Sequence, residues 1–103
     1  MWLRMSRKPA LRWFKCFASG HDFPGALVDS RKRVGFYTTC FVHADSSQDA
    51  EGKAIEMLFR DVRLSVPDGI CSAGARIVIE EIVPVEFSEI PDEHYGITWY
   101  END

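Results

Sequence analysis

Between Arg33 and Asp61 the chain reads as one unit, a strand feeding through a capped turn into an amphipathic helix, and every other segment must be placed against it. From Val34 the residues alternate. Val34, Phe36, Thr38, Cys40, Val42 and Ala44 share one face, and Arg33, Tyr37, Thr39, Phe41 and His43 share the other. A period of two carried by β-branched and aromatic residues is the signature of a strand. Tyr37 and Phe41 make the second face more apolar than a wet face should be, so cover by another element or by a partner is expected there.

Asp45, Ser46 and Ser47 follow, with short side-chain oxygens that can accept from the free amides of a helix's first turn. Ser46 is the expected cap. Asp49, three residues on, sets negative charge at the positive end of the helix dipole, although a strict capping box would carry Glu or Gln. The predicted helix spans residues 47 to 61. At about 100° per residue, Ala50, Ala54, Ile55, Met57, Leu58 and Val62 fall on one arc opposite Asp49, Lys53, Glu56 and Arg60. Two alanines on that arc allow close approach to a sheet. Gly52 is expected to be tolerated rather than required, at a cost of about 1 kcal/mol relative to Ala.

Around this unit the order is strand, strand, helix, strand, strand. Ala10 to Ala18 alternates as a first strand of ambiguous facing, with Ala10, Phe14, Cys16 and Ala18 on one side beside Arg12 and Leu11, Trp13 and Phe17 on the other beside Lys15. Ser19 to Lys32 is long for a hairpin connection and carries Gly20, Pro24 and Gly25; a short edge strand over Ala26 to Val28 would account for its length. Arg63 to Gly74 contains Pro67, Asp68 and Gly69 and reads as a loop. Ala75 to Val83 is the third strand, with a bulge predicted near Glu80 and Glu81 and Pro84 marking its limit or a sheet edge. Val85 to Gly96 is acidic and turn-like, and Ile97 to Tyr100 suits a last strand. The expected fold is α+β, an antiparallel sheet of about four strands with one helix on one face; the alternative is a small open β-barrel with a helix inserted between strands. The chain divides into a basic tail over residues 1–9 and one domain over 10–103.

Charge is the least ordinary property. Residues 1–44 hold eight Lys and Arg against Asp22 and Asp29, a balance of +6, whereas residues 45–103 hold four against fourteen acids, a balance of −10; together they give the net −4. Such asymmetry points to a charged partner or to halves that meet each other. No apolar run is long enough to span a membrane or serve as a signal peptide, and three cysteines, an odd number, fit reduced thiols in the cytoplasm.

No glycine-rich phosphate loop is present. Binding of another protein, or of a second copy, is the first reading, with Trp13, Tyr37, Phe41, Glu86, Glu89 and Asp92 as the contact residues. Single-stranded nucleic acid is the alternative, because Arg12 and Lys15 alternate with aromatic rings and Arg31, Lys32 and Arg33 could widen the patch. An enzyme or metal site would have to use His21, His43, His94, Cys16, Cys40 or Cys71. His21 beside Asp22 lacks the geometry of an oriented base, no zinc spacing appears, and no cofactor, metal or catalytic residue is expected.

Overall fold

The computed structural model describes residues 11–65, 74–92 and 95–101. Four strands, β1 (Arg12–Phe23), β2 (Val34–Ala44), β3 (Arg76–Val85) and β4 (Ile97–Glu101), form one antiparallel sheet in the order β3-β1-β2-β4. One helix, α1 (Ser47–Phe59), joins β2 to β3 and packs on one side. This is the expected α+β arrangement. The sheet is open, so the barrel alternative does not describe it.

The β1–β2 hairpin forms the centre because its two strands are the longest and place apolar residues in register. Cys16 lies opposite Cys40, Phe14 opposite Val42 and Ala18 opposite Thr38, all buried on the helix side. Arg12 aligns with the core-side positions at the strand end, its guanidinium 5.4 Å from the Phe14 ring. On α1, Ala50, Ala54 and Leu58 are fully buried. The two alanines let the axis lie close to the sheet, and Leu58 joins Phe23 and Phe36 in the buried core. Gly52 has nothing within 4 Å of where a Cβ would stand, in keeping with a tolerated residue.

The helix begins where its cap predicts. The Asp49 N–H donates to Ser46 Oγ (3.1 Å), and the Asp49 carboxylate accepts the Asp45 N–H (3.2 Å) and the Lys53 ammonium (3.1 Å). These bonds hold the Asp49 carboxyl below the usual carboxylate range, the backbone bond first among them. The helix ends at Phe59, short of Asp61. Val62 therefore leaves the buried arc and is 83% exposed in a 3-10 turn over Val62–Leu64, while Leu64 turns inward.

Three connections differ from expectation. β1 runs on to Phe23 rather than stopping at Ala18, because Gly20 leaves room for the Phe36 ring, whose atoms would lie 1.9–2.5 Å from a Cβ there. The register shifts between Gly20 and Phe23, with Asp22 at φ 58. The hairpin connection is correspondingly shorter, and Ala26 to Val28 lies not in an edge strand but in a 3-10 turn over Gly25–Val28, closed by the Leu27 N–H on the Pro24 carbonyl (3.2 Å). β3 extends through Pro84 to Val85, which its edge position permits. The bulge falls where predicted: Phe17 pairs with Glu81 and Ala18 with Ile79, leaving Glu80 without a partner in the ladder. The loop residues 66–73, including Pro67, Asp68, Gly69 and Cys71, and the tail 1–9 lie outside the described residues. So does His94. Among the described residues, no helix is long and apolar enough to cross a membrane.

Candidate functional site

α1 covers one face of the sheet, and the other is strongly apolar. Alternation from the buried positions puts Trp13, Lys15, Phe17 and Ser19 of β1 on the helix-free side, with Tyr37, Thr39, Phe41 and His43 of β2. The pairings add Val78, Glu81, Val83 and Val85 of β3 and Thr98 and Tyr100 of β4. Tyr37 is 45% exposed, His43 is exposed, and Trp13, Phe17, Phe41 and Tyr100 are half-buried.

Two aromatic groups divide this face. Toward one end Phe17, Tyr37 and Tyr100 run across three strands, with centroids 5.8 Å apart for Phe17–Tyr37 and 5.2 Å for Tyr37–Tyr100. The Tyr100 ring approaches β2 over Gly35, where a Cβ would stand 2.4 Å from it, so no other residue type fits without displacing that ring. Burial, then the neighbouring Tyr37, raises the Tyr100 hydroxyl above the usual phenol pKa. Toward the other end Trp13 stacks on His43 (4.8 Å, 19°) and meets Phe87 at 6.1 Å.

β3 and β4 lie at opposite edges of the sheet, so the connection between them must cross its width, and it does so at the Trp13 end. Ile90, Pro91, Tyr95 and Gly96 of this connection, with Trp13, Thr39 and Phe41 of the sheet and Met57 of α1, line a cavity of about 530 Å³. Glu86, Phe87 and Glu89 line a second hollow of about 410 Å³ with Arg12 and Trp13.

An ionic latch holds the connection in place. The Tyr95 hydroxyl donates to Asp61 Oδ2 (2.6 Å), Arg63 Nη1 donates to the Tyr95 carbonyl (3.1 Å), and Arg63 donates to the same carboxylate through Nη2 (2.7 Å), Nε (3.0 Å) and its backbone N–H (2.8 Å). The Arg63 hydrogen bonds, with Tyr95 adding to them, hold the Asp61 carboxyl far below the usual carboxylate range. Burial and the bond to Asp61 push the Tyr95 hydroxyl up to about 12. Next along the chain, Thr38 Oγ1 donates to the Gly96 carbonyl (2.5 Å) where β4 is about to begin.

Of the contact residues expected from sequence, Trp13 and Phe41 meet at the first cavity, and Glu86 and Glu89 stand with Trp13 at the second. Tyr37 is on the same face but in the other ring group, and Asp92 is exposed on the connection. The expected cations disperse. Lys15 alone shares the ring face; Arg31 and Lys32 lie in the hairpin turn, and Arg33 donates to the Asp22 carbonyl. Met57, Phe17, Tyr95 and Tyr100 carry no local signal that separates them from core residues.

The remaining candidates are held in separate places. Cys16 and Cys40 face each other as free, fully buried thiols, and the hydrogen bond to Cys16 together with burial keeps the Cys40 thiol protonated. His21 Nε2 lies 2.9 Å from Ser19 Oγ, which donates to Glu80 (2.5 Å), so the buried Ser19 ties the bulge to β1. Asp22 pairs with Arg76 (2.8 Å) rather than with His21.

Among the described residues, Lys53–Asp49, Arg60–Glu56 and Arg63–Asp61 lie within the acidic half, and only Arg76–Asp22 joins it to the basic half. Comparison with protein-family models, curated proteins and solved structures finds no match to this chain.

Proposed function

We propose that this chain is a small non-enzymatic protein-binding domain whose working surface is the helix-free face of its sheet. The observation that carries this reading is the band of Trp13, Phe17, Tyr37, Phe41, Val78, Val83, Val85 and Tyr100 on that face. An antiparallel sheet facing water on one side carries polar residues there, and a broad apolar patch with a polar rim marks an interaction surface. The cavity beside Trp13 would receive an apolar side chain of the partner, and Glu86 and Glu89 at the neighbouring hollow, with exposed Asp92 on the same connection, supply negative charge that steers basic surfaces toward it. We assign the protein to the cytoplasm on its odd cysteine count.

The test is site-specific photo-crosslinking in the native cell, with the crosslinking side chain placed at Tyr37 or, as a control, at exposed Arg60 just past the end of α1. Protein adducts from position 37 and none from position 60 are expected. Absence of protein adducts at 37 refutes the reading. A second reading, single-stranded nucleic acid, is favoured by the ring series Phe17–Tyr37–Tyr100 beside Lys15. It requires RNA binding that weakens steeply with salt and is lost in Lys15→Glu.

A further inference from the structure

The helix-free face carries two charged side chains at self-complementary positions. Lys15 on β1 stands between Val83 and Phe41, and Glu81 on β3 stands beside Phe17. Both are exposed, and among the described residues neither takes part in an ion pair. Covering this face with a purely apolar surface would strip water from both charges and leave them unpaired, which is strongly unfavourable. A partner that presents an acid to Lys15 and a cation to Glu81, with the same spacing along the strand and one strand apart, satisfies both charges.

We infer that the partner is a second copy of this chain, packed sheet to sheet through this face; the inference rests on the protein-binding reading above. A two-fold axis lying in the interface and crossing the strands at the level between Lys15 and Phe17 places Lys15 of each copy over Phe17 of the other, one strand from its Glu81, and the long lysine side chains reach across that spacing to form two equivalent ion pairs within the aromatic band. The opposite choice, an axis along β1, would face Lys15 with Lys15, so charge selects the orientation. The size is adequate. Beyond Trp13, where the connection crosses, β1 continues from Lys15 to Phe23, about 30 Å at roughly 3.4 Å per residue, and three long strands at about 4.8 Å make a band about 14 Å wide. With the shorter β4 beside them that is about 500 Å² per copy and about 1,000 Å² for the pair, at the lower limit of specific interfaces. The sheets would stack as an aligned sandwich, each with its helix outward.

Sedimentation of the full chain from micromolar to submillimolar concentration tests this. The wild type is expected to show a reversible monomer–dimer equilibrium. Lys15→Glu and Glu81→Lys, with thermal melts like the wild type, should each dimerise about 10- to 100-fold more weakly because like charges meet twice by symmetry. An equimolar mixture of the two variants should recover wild-type affinity, since one brings two acids and the other two cations. Recovery in the mixture is possible only if the contact is between subunits. A wild type that stays monomeric, a single variant that dimerises as tightly as the wild type, or a mixture that fails to recover each overturns the proposal. A monomeric chain that still crosslinks another protein from position 37 removes the second copy and leaves the protein-binding reading standing; a monomeric chain with no protein adducts removes both.

Discussion

Replacing Asp61 with alanine removes the carboxylate that joins the end of α1 to the segment entering β4. That carboxylate is 6% exposed and accepts three N–H bonds from Arg63 and one O–H bond from Tyr95. Hydrogen bonds to a charged group contribute about 1.5–3 kcal/mol where buried, but the Arg63 side chain is 37% exposed, so its share must be discounted for solvent screening. With the Tyr95 bond counted in full and the Arg63 bonds at a fraction, Asp61→Ala should cost about 2–3 kcal/mol. At about 4–8 °C per kcal/mol for a domain of this size, the melting temperature should fall by about 10 °C or more. Thermal and urea melts of the single variants Asp61→Asn and Tyr95→Phe and of the double variant should give a coupling of about 1 kcal/mol.

The pH dependence follows from the sign of the shift. The folded-state pKa of Asp61 is depressed, so its contribution is complete above the unfolded value of about 4 and is lost as pH falls from there toward the folded value. The gap between wild type and Asp61→Ala should accordingly be full at pH 7 and narrow below about pH 4. An Asp61→Ala variant within about 0.5 kcal/mol of the wild type at pH 7, or a gap that does not change with acid, refutes the latch.

Gly20→Ala should destabilise by about 2–3 kcal/mol, since its Cβ meets a Phe36 ring held between Phe23 (5.4 Å) and Trp99 (5.5 Å); urea melts check this, and a neutral result contradicts the packing. Gly52→Ala should raise stability by about 0.5–1 kcal/mol in the same assay, its site being open. Titration with a thiol reagent in native buffer should label at most one of the three cysteines, because Cys16 and Cys40 are sealed in the core, and all three should react in denaturant.

Much of the fold was legible locally, and for a physical reason: the spacing of apolar residues records which side of an element is buried. Val34 to Ala44 alternates and is a strand; Ala50, Ala54 and Leu58 recur with helical spacing and are buried; Ser46 caps where its side chain can reach Asp49. The bulge was legible too, because Glu81 breaks the alternation of β3 and one looped-out residue restores it. Legibility stopped at segments whose conformation depends on distant partners. Gly20 reads as a turn until the Phe36 ring is known to lie over it, and Val62 reads as buried until the helix is seen to end at Phe59.

The candidate site shows the same division. Trp13, Tyr37 and Phe41 stood out because aromatic residues on a strand's second face are more than a wet surface needs. Tyr95 was not separable from the acidic segment around it, since Asp61 and Arg63, its partners, are more than 30 residues away. The sequence by itself determined the four main strands and the helix, the inward faces of β2 and α1 and the imbalance of charge, because these are written in residues a few positions apart. The tertiary structure alone decided that β1 and β2 sit between β3 and β4, that the last connection crosses the sheet at Trp13, and that Lys15 and Glu81 share the helix-free face. Those outcomes are set by contacts across the chain, which a local pattern of apolar and polar residues does not encode.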